Sequence, residues 1–209
     1  MAEIKMEKLG TPLAQLHMEE KYRINQEASQ ELNKTLLERR ASVKEGWGKK
    51  YQDRTHEKGK LTTWERIYLL KDPDSLLFPV HTFVNYGKEF GEKKLSSPSA
   101  GVITVFVKIH NRYTMVIAND NTVASGAWWP LTPEKIERAQ EIALKLRVPV
   151  IYLVDCSGLY LPEQAKTFPG KKGAGFIFKM NSLLSDAGVP QIAAVMGDCI
   201  AGGGYMPII

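Results

Sequence analysis

The chain has 209 residues, of which 44% are hydrophobic and 24% charged, an ordinary globular composition that allows one domain of roughly 150 residues plus an appendage. Its net charge of +5 is spread over short pairs such as Lys49-Lys50, Lys93-Lys94 and Lys171-Lys172, without a basic stripe interleaved with aromatics, which argues against nucleic acid as a partner. Two cysteines, Cys156 and Cys199, exclude a disulfide scaffold and a Cys-rich zinc site and suit a reducing cytoplasm. The opening MAEIKMEKLGTPL has no apolar core, and no run of 18 apolar residues occurs, so neither a signal peptide nor a membrane span is expected.

Residues 18–45 are polar, with Ile24, Ala28, Leu32 and Leu36 at helical spacing, and predict an exposed helical arm closed by Gly46. Residues 47–60 are charged and glycine-punctuated, a linker by composition. The arm and linker are expected over 1–60, and a folded domain over 61–209. Thr62-Thr63-Trp64-Glu65 has capping-box spacing and opens a short helix ending near Leu70. Asp72-Pro73-Asp74 forces a turn. After a Gly-, Lys- and Ser-rich loop over 87–99, residues 101–109 and 113–119 are β-rich runs around His110-Asn111-Arg112, a hairpin signal.

Thr132-Pro133-Glu134 supplies an N-cap, a proline at the first helical position and early negative charge. A helix with Ile136, Ala139, Ala143 and Leu146 on one face then runs to Arg147. Residues 149–154 and 192–196 are continuous apolar runs, which predicts strands covered on both faces. Residues 176–187 between them form a helix, stopped by Gly188 with Pro190 just beyond. The order strand, loop, helix, strand implies parallel crossovers and an α/β fold. The sequence ends at GGGYMPII, where a further helix should begin, and is expected to be an incomplete domain.

Two unusual loops leave the carboxyl ends of these strands, where ligands gather in parallel α/β folds: residues 155–175 and 197–205. Gly197 and Gly202 have phosphate-loop spacing, but Gly203 and Gly204 stand where Lys and Ser/Thr are required. Gly173-Ala174-Gly175 lacks the third glycine of a dinucleotide fingerprint. Ser157 has no glycine two residues before it, as a nucleophile elbow requires. The four histidines, His17, His56, His81 and His110, are too scattered for metal-ligand spacing. Two readings are left by the residues themselves. One is a tight strand-to-helix connection. The other is main-chain stabilisation of a thioester enolate, which needs small residues so that backbone N–H groups can approach.

Residues 117–162, with RAQEIA in their helix, resemble the carboxyltransferase subunits of biotin-dependent acyl-CoA carboxylases and decarboxylases, in particular the 3-methylcrotonyl-CoA carboxylase β subunit. Gly126-Ala127-Trp128, Cys156-Ser157-Gly158, Glu163-Gln164, Phe168-Pro169 and Ala201-Gly202-Gly203-Gly204-Tyr205 look more like the glutaconyl-CoA decarboxylase α subunit, as does Leu9-Gly10-Thr11-Pro12-Leu13.

The resemblance implies a crotonase-type ββα superhelix, here as the N-terminal half of a carboxyltransferase, moving a carboxyl group between an acyl-CoA, glutaconyl-CoA before 3-methylcrotonyl-CoA, and biotin on a carrier protein. It places an oxyanion hole at the backbone N–H groups of Ser157 and Gly158, where Ser157 replaces the carboxylases' first glycine. Ala201, Gly202 and Gly203 would wall the acyl pocket, Gly126 and Ala127 would border the coenzyme A side, and Lys171 and Lys172 would meet its phosphates. Homo-oligomers are implied, with the biotin side supplied by a second crotonase-like domain of a neighbouring subunit. Membrane-bound partner subunits would place this otherwise cytoplasmic chain at the inner face of the membrane. A hydratase or isomerase would instead need carboxylates beside the thioester, and Glu163 is the only one well placed. A third possibility is an assembly module without catalysis, expected if the chain is complete and lacks the second domain.

Overall fold

A computed structural model describes residues 9–209; the first eight residues of the expected arm lie outside the described residues. Two compact units divide between Ala41 and Ser42. The first holds helix α1 (Leu13–Leu16) and most of α2 (Glu20–Lys44). Ile24, Leu32 and Leu37 are exposed on α2, as its polar composition predicts. Gly46, at φ +62°, ends that helix in the left-handed conformation glycine adopts without penalty.

In the second unit, the expected linker contains a helix, α3 (Lys49–Glu57). The glycines at 46 and 48 mark a tight junction between helices. Trp47 fastens it: its indole N–H donates to the Ser96 carbonyl at 2.9 Å, and its ring meets Trp129 edge-on with centroids 6.2 Å apart. Only Thr55 of α3 is buried, so the helix has no apolar stripe for periodicity to detect. The predicted capping box opens α4 (Thr63–Leu70): Thr62 N–H donates to Glu65 Oε2 at 2.7 Å, and Glu65 N–H to Thr62 Oγ1 at 3.4 Å.

Five strands form a mixed sheet in the order β1 (Phe78–Pro79), β4 (Val102–Ile109), β5 (Arg112–Asn119), β6 (Val150–Cys156) and β7 (Gln191–Cys199). A separate antiparallel pair, β2 (Glu89–Phe90) and β3 (Leu95–Ser96), lies within the loop expected over 87–99. β4 and β5 are the predicted hairpin. Its turn is His110-Asn111, both at positive φ, and the Asp72 carboxylate accepts both turn N–H groups at 2.8 and 2.7 Å. A residue of the Asp-Pro-Asp turn thus secures the hairpin as well.

β5, β6 and β7 run parallel, linked by α5 (Thr132–Leu146), the short α6 (Gln164–Thr167) and α7 (Ala174–Asp186). Ile136, Ala139 and Ala143 of α5 and Ile177 of α7 pack on one sheet face against Met115, Tyr152 and Val154. Ile67 of α4 packs on the other against Val105, Val116 and Leu153. Burial on both faces explains the continuous apolar runs of β4 to β6.

Three expectations are corrected. Leu146 is 59% exposed, because the helix ends one residue later with Arg147 left-handed at φ +54°. Thr132 does not cap α5. It is the first helical residue, and its hydroxyl accepts from Trp129 N–H and donates to the Ala100 carbonyl. β7 is an edge strand, with Ile192 and Val195 57% and 53% exposed, so its apolar run is open where cover was expected. A helix does follow the glycine-rich loop, α8 (Gly202–Ile208). Among the described residues, no helix is long and apolar enough to cross a membrane.

Candidate functional site

The two loops meet at the carboxyl ends of β6 and β7, together with the segment that follows β5. Gly158 C=O accepts from Trp128 N–H at 2.8 Å, and Tyr160 N–H donates to Trp128 C=O at 2.9 Å, a short parallel bridge between the first loop and residues 124–128. Tyr160 also stacks on Trp129 with centroids 4.1 Å apart. The second loop lands on the first, with Ile200 N–H donating to Cys156 C=O at 3.0 Å.

The glycines permit this approach. A Cβ on Gly126 would lie 1.8 Å from the Asp155 carbonyl oxygen, one on Gly202 2.8 Å from the Trp128 ring, and one on Gly203 2.6 Å from Cys156 Sγ. All three distances are below what carbon atoms tolerate, so these positions are sterically committed to glycine. Ala201 itself stands at φ +51°, ψ −126°, a region normally left to glycine.

Each expected site residue has a definite place. Gly158 is buried at φ +109°, where a Cβ would meet only Ile200 Cγ2 at 3.7 Å. Among the described residues no backbone bond uses its N–H. At Ser157, the other expected donor, the N–H donates to the Ser125 carbonyl at 3.1 Å and the hydroxyl to the Ala124 carbonyl at 2.9 Å. Both bonds pin the first loop to residues 124–125. Gly126 and Ala127 are buried beneath the first loop. Lys171 and Lys172 are exposed on the turn before α7, and the charge of Lys172 reaches Glu134 and Glu137 of α5. Glu163 is a loop fastener: it accepts from Gly91 N–H at 3.3 Å and pairs with Lys166 at 2.7 Å. That ammonium holds its carboxyl below the usual range.

Sequence reasoning missed the charged cluster under the loops. Asp155 pairs with Arg66 Nη2 at 2.8 Å and Lys60 Nζ at 3.2 Å; the Asp155 and Arg66 side chains are 2% and 4% exposed. Arg66 lies 89 residues from Asp155 along the chain, so no local spacing announces the contact. Cys156, beside Asp155, is buried, and burial pushes its thiol up to about 11, which leaves it a packing group. The arrangement brings a main-chain N–H without a backbone partner, at Gly158, among small residues, beside the Asp155 ion cluster.

Residues 54–209 match the carboxyl transferase domain family. The chain is 44% identical over 175 residues to the mitochondrial methylcrotonoyl-CoA carboxylase beta chain of Arabidopsis thaliana, covering 82% of this chain and 29% of that protein. It is 34% identical over 154 residues to the glutaconyl-CoA decarboxylase subunit alpha of Acidaminococcus fermentans, covering 73% of this chain and 25% of that protein. The crystal structure of transcarboxylase 12S with hydrolysed methylmalonyl-coenzyme A bound superposes with a TM-score of 0.67 at 27% identity, over 83% of this chain and 33% of that one. The chain thus spans about three tenths of the length of the curated relatives it matches. It belongs to the carboxyl transferase family and has that family's crotonase-type fold.

Proposed function

We propose that this chain forms the acyl-CoA side of a biotin-dependent carboxyltransferase, with the Gly158 N–H as a main-chain donor to the thioester oxygen. The observation that carries the reading is the Gly158 turn. It is buried and left-handed, its N–H makes no backbone hydrogen bond among the described residues, and the second loop, at Ile200, lies against it. When the bond to a transferred carboxyl group breaks, its electron pair flows into the thioester carbonyl, and a fixed N–H at that oxygen stabilises the resulting enolate. Ser157 keeps the turn rigid through Ala124 and Ser125. Ala201, Gly202 and Gly203 would form the opposite wall, Gly126 and Ala127 would border the coenzyme A side, and the exposed Lys171 and Lys172 would meet its phosphates. Biotin on a separate carrier takes up or delivers the carboxyl group, on a side built by a second crotonase-like domain in a homo-oligomer.

The substrate we favour is an α,β-unsaturated acyl-CoA carboxylated at its γ carbon, a class that includes both glutaconyl-CoA and 3-methylglutaconyl-CoA, the product of 3-methylcrotonyl-CoA carboxylation. In both, the electron pair is delocalised through the double bond to the same thioester oxygen as a dienolate. The higher identity to the methylcrotonoyl-CoA carboxylase chain supports the second substrate, and the Cys-Ser-Gly turn supports the first. In the full-length protein with its biotin carrier, avidin-sensitive exchange of labelled bicarbonate into one acyl-CoA, or avidin-sensitive loss of CO₂ from the other, is expected. Gly158→Ala, which forces the turn from φ +109°, should lower either rate by about 10²-fold. Avidin-insensitive hydration of crotonyl-CoA with no carboxyl exchange would refute the reading.

A further inference from the structure

β6 and β7 pair in register from Val150 with Gln191 to Val154 with Val195, and again at Cys156 with Cys199. Between those last two pairs a single residue of β6, Asp155, faces three of β7, Met196, Gly197 and Asp198, so β7 carries a bulge of two extra residues. A bulge takes backbone groups out of the ladder and redirects the strand beyond it. Here the Asp155 side chain occupies the gap. Its Oδ1 accepts from Asp198 N–H at 3.2 Å. A Cβ on Gly197 would stand 2.1 Å from that oxygen and 2.3 Å from Lys60 Nζ. Arg66, carried on α4, and Lys60, just before its capping box, hold the carboxylate at 2.8 and 3.2 Å, and Asn121 Nδ2 lies 3.4 Å from it. Past the bulge, β7 delivers Ile200 to the Cys156 carbonyl and so sets Ala201–Gly203 opposite Gly158.

We propose that Asp155, clamped by Arg66 and Lys60, is a positioning residue that holds the bulge of β7 and thereby fixes the distance between the Gly158 N–H and the Ala201–Gly203 wall. It acts through the backbone and touches no reacting atom. Its consequence for turnover rests on the carboxyltransferase reading above, whereas its structural content does not.

The test uses the full-length protein with its biotin carrier. Asp155→Asn keeps the volume and an acceptor for Asp198 N–H but removes the charge that binds Arg66 and Lys60. A misplacement of about 1 Å at a reacting group costs about 10²-fold in rate. The expected result is therefore a fall in kcat of about that size, with acyl-CoA KM within about 3-fold. Amide exchange should rise selectively across residues 196–203 and stay unchanged in the β4–β5 hairpin. Arg66→Lys in the otherwise wild-type protein, which retains a cation beside Asp155, should keep most of the wild-type rate.

Unchanged kcat and unchanged exchange at 196–203 overturn the proposal. So does a uniform rise in exchange through the whole sheet, which would mark a general stabilising role. If Asp155→Asn fails to fold, Lys60→Met removes the partner whose side chain is 30% exposed and should show the same selective loosening at smaller amplitude; its absence is equally fatal. Selective loosening in a protein whose wild type transfers no carboxyl group would uphold the positioning role and refute the function reading alone.

Discussion

Replacing Gly126 by alanine tests whether the close approach of the loops is a packing requirement or a tolerance. Gly126 sits at φ +76°, and its added Cβ would lie 1.8 Å from the Asp155 carbonyl oxygen, 2.9 Å from the carbonyl carbon and 3.1 Å from Asn119 Cβ. The left-handed backbone costs a non-glycine residue roughly 1–2 kcal/mol. The contact cannot be relieved by swinging a flexible side chain, because the obstacle is main chain, tied to Arg66 and Lys60 through the Asp155 carboxylate. Overpacking of this kind adds about 1–3 kcal/mol, for a total of about 2–5 kcal/mol. Gly170→Ala is the internal control: its φ is +101° and nothing lies within 4 Å of an added Cβ, so it should cost the backbone term alone. Urea denaturation of the two variants should differ by about 2 kcal/mol, or about 4–8 °C in melting temperature for a chain of this size. Two variants that agree within about 0.5 kcal/mol would refute the steric account of the Gly126 contact.

Two further expectations concern titratable groups. Lys135 is buried, donating to the Ser99 and Val102 carbonyls and touching Ser99 Oγ, and burial pushes its pKa down from 10.5 to about 7. The folded state then binds fewer protons than the unfolded chain between those values, so stability should rise as pH rises from about 7 toward 10.5. Lys135→Met should flatten that slope and cost about 1–3 kcal/mol at pH 9 by leaving the two carbonyls unpaired; parallel slopes for the two proteins in urea titrations would contradict it. Cys156 is buried with its thiol pushed up to about 11, whereas Cys199 is partly exposed. Iodoacetamide at pH 7.5 should therefore label Cys199 well before Cys156, as read by peptide mass spectrometry. Equal labelling would show that the loop opens.

Much of the framework is local and therefore legible in the chain. The capping box at Thr62 and Glu65, the hairpin around His110-Asn111, the apolar stripe of α5 and the glycine stop at Gly188 each depend on contacts within a few residues. The strand, helix, strand order then selects parallel crossovers. α3 escaped because a polar helix buries only Thr55 and leaves no periodic signal. The open face of β7 has no local signature, because an apolar run records what a strand can bury, whereas its cover is decided by which elements pack on that face in the folded chain.

The glycine-rich turns at Ser157-Gly158 and Ala201–Gly204 were likewise visible as candidates from residue type. Which N–H groups remain uncommitted was not, because Ser157 spends its amide on Ser125, a residue of a different loop, in a contact only the folded chain creates. The Asp155–Arg66–Lys60 cluster is the clearest case. Residues nearly 90 positions apart meet because α4 packs across the sheet and β7 bulges beside β6. Charge pairing across such a distance follows from topology, whereas helix caps, turns and apolar periodicity follow from sequence, since their physical range is a few residues.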